Sequence, residues 1–444
     1  MTTLLNLLER ALDQHNPALR YSFLPDGKAA SGQHMPFHTL AERALALGHW
    51  LREHVKPGER VMLLHPPGLD FLVGFFGCLC APCIAVPVYP PDPSRLARTL
   101  PRLAGMAADC KARHILTTAP ARDLLRPYAI AHAPELAALT WLDQNQAPNT
   151  STTVWPHNSV DPDTAAFLQY TSGSTRAPRG VVVTHGNLIA NLALMHRAFD
   201  NGPDSHAVNW LPLYHDMGLI GAILQPLFAA HPATFMSPLT FLAKPATWLR
   251  AISAQGGTHC GGPNFGYHLC TRRIRDDELE GVDLSCRRLA FNGAEPIQDT
   301  TLRRFSERFA PWGFRPEAHF PCYGLAESTL FVSGGPIERT PERLQLDPDA
   351  IAQGQLERSP RGRTVVSCGQ LHPELEVRIV NPDTHQPCHT TQIGELWLRG
   401  DSVAHGYWNR PEATAQTFGA RLQGDDPNDG GSWLRTGDLG FIRN

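Results

Sequence analysis

Between Phe71 and Tyr89 the chain reads FLVGFFGCLCAPCIAVPVY, without one charged side chain. An uncharged run of that length either crosses a bilayer or is buried on every side in a large core. Pro82 and Pro87 favour burial, because proline inside a helix removes a backbone hydrogen bond and collides with the preceding turn. The run therefore divides into a helix, GLDFLVGFFGCL, and a strand and turn, IAVPVYPP. A strand apolar on both faces needs helices above and below its sheet, which is an α/β architecture.

The neighbouring segments fit that architecture. FHTLAERALALGHWLREHV has helical periodicity, ERVMLLHP is a short apolar strand, and NLIANLALMHRAF puts Ile189, Leu192 and Phe199 on one helix side. After about Val365 the pattern changes. ELEVRIV alternates with period two, and IGELWLRG follows a polar turn. Three regions result: α/β subdomains over 1–335, a polar charged segment over 336–363, and a β-rich, barrel-like subdomain over 364–444. The middle segment reads as a solvated surface insertion, with one short helix at Asp347 to Leu356. A chain of 444 residues exceeds one ordinary core, so more than one subdomain is expected. No repeat is present that would make a solenoid.

Lys+Arg 39 against Asp+Glu 42, with no long basic run, speaks against a nucleic-acid partner. Ten cysteines are diluted through the chain, and MTTLLNLLERALDQH lacks the basic start of a signal peptide, reading as an amphipathic helix. A reducing, cytoplasmic setting without an integral membrane segment is expected. Cys78, Cys80 and Cys83 have the look of a metal cluster, but their apolar setting makes buried thiols the expectation. His259, Cys260, His268, Cys270 and Cys286 match no standard zinc spacing.

The densest chemistry lies in YTSGSTRAPRG, Tyr170 to Gly180. The strands AAFLQY and GVVVTH flank it. Hydroxyls of Thr171, Ser172, Ser174 and Thr175, with backbone N–H groups exposed at Gly173, make a donor-lined cradle suited to phosphate oxygens. No G-x-x-x-x-G-K-[ST], G-x-G-x-x-G or G-x-S-x-G is present. By itself, such a segment is also compatible with a plain turn.

Further along stand WLPLYHDMGLIG with His215 and Asp216, RLAFNGAEPI ending in Gly293, Ala294 and Glu295, CYGLAES with Tyr323, Gly324 and Glu327, and WLRTGDLG with Asp438. In this order and spacing the set resembles the adenylate-forming superfamily of acyl-CoA synthetases, luciferases and peptide-synthetase adenylation domains, over nearly the whole chain. LLHPPGLDFLVGFFGCLCAPCIAVPVYPP, YHDMGLIG, GGPNFGY, Arg176 and the position of the 336–363 insertion resemble one branch, the fatty acyl-AMP ligases.

The resemblance implies two packed β-sheets flanked by helices plus a smaller distorted β-barrel. It also implies ATP and Mg2+ as cofactors, a fatty acid as substrate, and transfer to an acyl carrier protein or a polyketide or peptide synthetase carrier domain. Carried over by motif, Thr171 to Thr175 and Arg179 hold phosphates, and Thr171 and Glu327 hold the metal. Gly293, Ala294, Glu295, Tyr323 and Gly324 hold adenine, and Asp438 the ribose. His215 orients the carboxylate, with Glu327 as the other catalytic residue. The acyl pocket falls to Trp210, His215, Asp216, Met217, Gly218, Ile220, Gly262, Pro263, Asn264 and Phe265. Arg179 stands where many relatives have lysine, keeping the charge but as a planar fork.

For residues taken alone, other readings stand: His215 as a satisfied core histidine, Asp438 as a turn cap, Glu295 as a helix cap near Pro296. The superfamily also has a small C-terminal domain with a catalytic lysine after TGDLG. Because the chain stops soon after Asp438, it reads as the large domain alone, expected to form adenylate poorly by itself. An acyl-CoA synthetase of the same fold and a non-catalytic nucleotide-binding scaffold are the rival functions. The insertion, which in the ligases restrains the motion that admits CoA, distinguishes the first.

Overall fold

The structure, a computed structural model, describes residues 2–91, 95–148, 154–171, 178–424 and 431–443. Its largest sheet has six strands in the order Thr140–Asp143, His114–Thr117, Arg60–Leu63, Ile84–Pro87, Ala165–Thr171, Arg179–Thr184. All neighbours are parallel except the last pair, which forms an antiparallel hairpin. That hairpin is the last pair in the strand order.

The uncharged run resolves as expected into the helix Leu69–Cys80 and the strand Ile84–Pro87. Every residue of that helix but Asp70 is buried. It packs on the helix Phe37–Arg52 at very close range. A Cβ on Gly48 would sit 2.4 Å from the Cys80 Cβ, and one on Gly77 would sit 2.6 Å from Leu47 Cδ2. Only glycine lets the two axes approach this far, and the approach seals the core. Cys78, Cys80 and Cys83 are buried there as free thiols, with burial pushing Cys80 and Cys83 up to about 12. No helix among the described residues is long and apolar enough to cross a membrane.

A four-stranded sheet (Gln33–Pro36, Arg20–Leu24, Ala233–Met236, Ala207–Asn209) lies next to a three-stranded one (Ala290–Asn292, His319–Gly324, Phe331–Gly334). His259 bridges Ala207 on one side and Leu289 on the other, joining both into one surface. The helix His185–Phe199 packs beside it, capped by Thr184, which accepts from Asn187 N. The C-terminal strands Glu376–Val380, Gly394–Arg399 and Leu434–Gly440 form an antiparallel sheet.

The 336–363 segment differs from the solvated loop its composition suggests. Arg343–Leu346 pairs antiparallel with Arg363–Val366, and Asp347 caps a short helix, Pro348–Ala352. Leu346 and Val366 are buried, Arg343 pairs with Asp299, and Leu356 N donates to Thr391 O. A few inward apolar side chains suffice to order a segment whose outward face is polar.

Candidate functional site

Thr171 stands opposite Arg179 as the last pair of the hairpin before its connecting residues. Ser172, Gly173, Ser174 and Thr175 lie outside the described residues. Arg179 reaches across to Tyr407, its guanidinium carbon 5.2 Å from the ring centroid. The Tyr407 hydroxyl donates to Glu327 Oε1 at 2.7 Å. Arg179 and Glu327, far apart in sequence, are thus two ends of one three-residue contact. Burial, then the Glu327 charge, push the Tyr407 phenol well up, so it stays a donor at neutral pH.

Glu327 sits on the short turn Ala326–Ser328. Thr329 next to it takes φ +68°, a conformation that a β-branched residue rarely adopts. Its buried hydroxyl donates to Ser402 O at 2.6 Å, offsetting part of that cost. The reversal sends the chain from Tyr323–Gly324 back along Phe331–Gly334.

Both arms of that reversal line a cavity of about 210 Å3. Tyr323, Gly324, Leu330 and Phe331 form one wall, and Gly293, Ala294 and Phe291 another. The helix His185–Phe199 contributes Met195 and Phe199, four residues apart on one face. The remaining wall is His215, Asp216, Met217 and Gly221. Met217–Leu224 winds as a π-helix, whose wider turn is a frequent feature of functional sites. Cys322 also lines the cavity, but burial pushes its thiol up to about 12, so it is no nucleophile near neutral pH.

His215 Nδ1 lies 2.5 Å from Asp216 Oδ1, and that same oxygen accepts from Met217 N. The Asp216 charge outweighs desolvation and raises the His215 pKa. The imidazole is therefore no satisfied core histidine; its side chain is half exposed at the cavity and biased towards its cationic form. A folded pKa above the unfolded one means that this pair stabilises the fold fully below about pH 6.5. That contribution is lost as pH rises through the raised value. Opposite, the Tyr323 hydroxyl donates to Asp438 Oδ2 at 2.6 Å. Asp438 thus faces the cavity wall through Tyr323 instead of only closing its own turn.

Other sequence-derived candidates lie elsewhere. Trp210 is 3% exposed and stacks on Phe241 at 3.9 Å, while Ile220 is wholly buried. Gly218 is where the backbone needs room, since a Cβ there would sit 2.0 Å from Pro212 O. Gly262 faces the Trp210 ring at close range. None of these four, nor Pro263, lines the cavity. Asn264, Phe265 and Glu295 line a separate polar cleft of about 690 Å3, with His268, Arg272 and Arg304. Glu295 caps no helix near Pro296. Its Oε1 accepts from Phe265 N, and the following helix starts at Asp299.

A family model described as AMP-binding enzyme matches residues 9–408. The chain belongs to the AMP-binding enzyme family. It is 39% identical over 450 residues to the medium-chain-fatty-acid–[acyl-carrier-protein] ligase JamA of Moorena producens, covering 100% of this chain and 75% of that one. It is 37% identical over 453 residues to FadD21 of Mycobacterium tuberculosis, named as a fatty-acid–CoA ligase, covering 99% and 77%. The fold superposes on a fatty acyl-adenylate ligase from L. pneumophila, in complex with acyl adenylate and pyrophosphate, with TM-score 0.89 and 36% identity. That match covers 100% of this chain and 76% of that one.

Within this AMP-binding enzyme, sequence reasoning missed Tyr407, Met195, Leu330, Phe331 and Phe291 as residues around the site. Met195 and Phe199 share a helical face, a signal that local periodicity does contain. Tyr407 offered none, because its partner stands 80 positions away.

Proposed function

We propose that this chain activates a fatty acid with ATP. The carboxylate oxygen attacks the α-phosphorus, the bond to the bridging oxygen breaks, and acyl adenylate and pyrophosphate result. The acyl group then passes to the thiol of a carrier-borne phosphopantetheine, with AMP leaving. The observation that carries the reading is the Arg179–Tyr407–Glu327 contact, which joins the edge of the hydroxyl-rich hairpin to a carboxylate beside an apolar cavity.

Roles follow from chemistry. Thr171 and Arg179, with Ser172, Gly173, Ser174 and Thr175, donate to the triphosphate. The half-exposed, cation-biased His215 attracts the fatty carboxylate to the cavity mouth. Met195, Phe199, Phe291 and Phe331 take the acyl chain, while Gly293, Ala294, Tyr323 and Gly324 take the adenine. Asp438 accepts from the ribose hydroxyls through the carboxylate oxygen that Tyr323 leaves over.

Mg2+ fits the donor set. No cluster of three or more His, Cys, Asp or Glu occurs among the described residues, and the carboxylate of Glu327 with the Thr171 hydroxyl are hard oxygen donors. Mg2+ keeps most of its water and phosphate ligands and takes one or two from protein. Bound there, it would supply positive charge against the phosphate oxygens.

A carrier protein as acceptor is supported by the likeness to JamA and by the 336–363 insertion, whose strand Arg343–Leu346 pairs with Arg363–Val366. The likeness to FadD21 favours CoA as a second reading. Assays of pyrophosphate release with a fatty-acid panel, then acyl transfer to CoA and to phosphopantetheinylated carrier, test both. Predominant acyl-CoA would reject the carrier reading, and absence of any acyl adenylate would reject activation itself.

Two variants probe the cavity. Asp216→Asn removes the charge that raises His215, so the alkaline limb of kcat/KM for fatty acid moves to lower pH; an unmoved limb contradicts the role of His215. A Cβ on Gly221 would stand 3.5 Å from Leu330 Cδ2, ordinary contact, so a longer side chain there projects into cavity space. Gly221→Leu is expected to shift preference to shorter acids. Each methylene excluded costs about 0.8 kcal/mol, roughly fourfold. An unchanged chain-length profile would place the acyl chain elsewhere.

A further inference from the structure

Tyr407 lies in HGYWNRPE, outside the segments that supply the phosphate, adenine and metal candidates. Its backbone neighbours tie two parts of the site together. Ala404 N donates to Glu327 O. His405 N donates to Val182 O, Val182 N to Gly406 O, and Trp408 N to Gly180 O. Residues 404–408 therefore lie as an added strand along Arg179–Thr184 while gripping the turn that bears Glu327. The Tyr407 ring is fixed from behind by Phe418 at 5.3 Å, and its N–H by Thr414 Oγ1 at 3.0 Å.

We infer that Tyr407 is a positioning residue, whose hydroxyl aims the Glu327 carboxylate at the divalent cation and whose ring seats Arg179 at the mouth of the phosphate hairpin. The inference rests on the reading of Glu327 as the cation's protein ligand. A carboxylate on a three-residue turn has freely rotating side-chain torsions. One O–H donor on Oε1 removes most of that freedom and leaves Oε2 pointed. The aromatic face attracts the guanidinium and holds it without neutralising its charge, which a carboxylate partner would do. Among the described ion pairs Arg179 has no carboxylate partner, so its charge is available to an anion.

The variants Tyr407→Phe and Tyr407→Leu separate the two jobs. Binding of ATP to the purified protein is followed calorimetrically with Mg2+ titrated from zero. Tyr407→Phe keeps the ring and loses the hydroxyl. It is expected to raise the half-saturating Mg2+ about 10- to 100-fold, leaving metal-free ATP affinity and the thermal midpoint unchanged. Tyr407→Leu is expected also to weaken metal-free ATP binding, because Arg179 loses its seat. A wild-type Mg2+ requirement in Tyr407→Phe overturns the inference. So does loss of its cooperative thermal transition, which would make the hydroxyl a support of the fold. Glu327→Gln is run alongside. If it also leaves the Mg2+ requirement unmoved, the metal-ligand reading of Glu327 has failed. If it alone moves it, only the inference about Tyr407 has.

Discussion

Glu327→Gln is expected to cut acyl-adenylate formation by about 10²- to 10³-fold while leaving the fold intact. Glutamine is nearly isosteric, so the Tyr407 hydroxyl can still donate to the amide oxygen where it now donates to Oε1. What disappears is the negative charge and the second carboxylate oxygen. If that oxygen holds a cation against the phosphates, its loss removes several kcal/mol of charge stabilisation in the transition state. At 1.36 kcal/mol per decade that is roughly the stated factor. Glu327 lies on a turn gripped by Ala404 N through its backbone, not its side chain, so stability has little reason to change. Adenylate formation is read by pyrophosphate release with saturating fatty acid, and folding by the thermal midpoint. Wild-type release at ordinary Mg2+ would remove Glu327 from the reaction. It would leave the non-catalytic scaffold as the better account of the pocket.

The largest loss of stability is expected at Arg287, a fully buried arginine. Its guanidinium carbon lies 4.9 Å from the Trp248 ring, 5.4 Å from Phe314, 5.7 Å from Tyr267 and 5.8 Å from Phe305. Nη2 donates to Cys260 O at 2.9 Å, while Nε and Nη1 meet no acceptor among the described residues. No carboxylate pairs with it among the described ion pairs. Four aromatic faces, one carbonyl and the Tyr267 hydroxyl, which accepts from Nη2 at 3.4 Å, therefore carry a desolvated cation, the setting in which a cation–π contact is worth most. Its neighbour His319 is kept neutral, pushed down to about 3 by burial and then by the Arg287 charge. Arg287→Ala empties the centre of that ring. The cavity and the lost contacts are expected to cost about 3–5 kcal/mol, the range of large-to-small core changes. Tyr267, whose hydroxyl donates to Phe291 O at 2.7 Å, would then hold Phe291 less firmly, and Phe291 lines the cavity proposed above for the acyl chain. A lower urea midpoint with a raised KM for fatty acid is the expected pair of results. An unchanged midpoint would show that the cage neither needs nor pays for its cation.

Much of this molecule was legible in its sequence. The break of the uncharged run at Pro82, the helix His185–Phe199 and the strands around the cradle all follow from periodicity and proline chemistry, which act over a few residues. The order of YHDMG, NGAEP, YGLAES and TGD pointed to the family for the same reason, since each motif is a local shape. Local sequence did not show which way each candidate side chain faces. Trp210 stands five positions before His215 and looks like a tunnel wall, yet its ring is spent on Phe241. Asn264, Phe265 and Glu295 sit in motif segments but open on another cleft. The 336–363 segment has the composition of a loop, yet Arg343–Leu346 pairs with the strand Arg363–Val366 that begins at its far end, and Leu346 and Val366 turn inwards.

What the sequence alone determined was the class of fold, the family and the chemical kinds of side chain at hand, because hydrophobic period and backbone punctuation are properties of neighbours in the chain. Only the tertiary structure decided which of those side chains meet. The Arg179–Tyr407–Glu327 contact, the aromatic ring around Arg287 and the apolar cavity all join segments far apart in sequence. Such contacts depend on how sheets and helices pack, and packing is settled by the whole core at once.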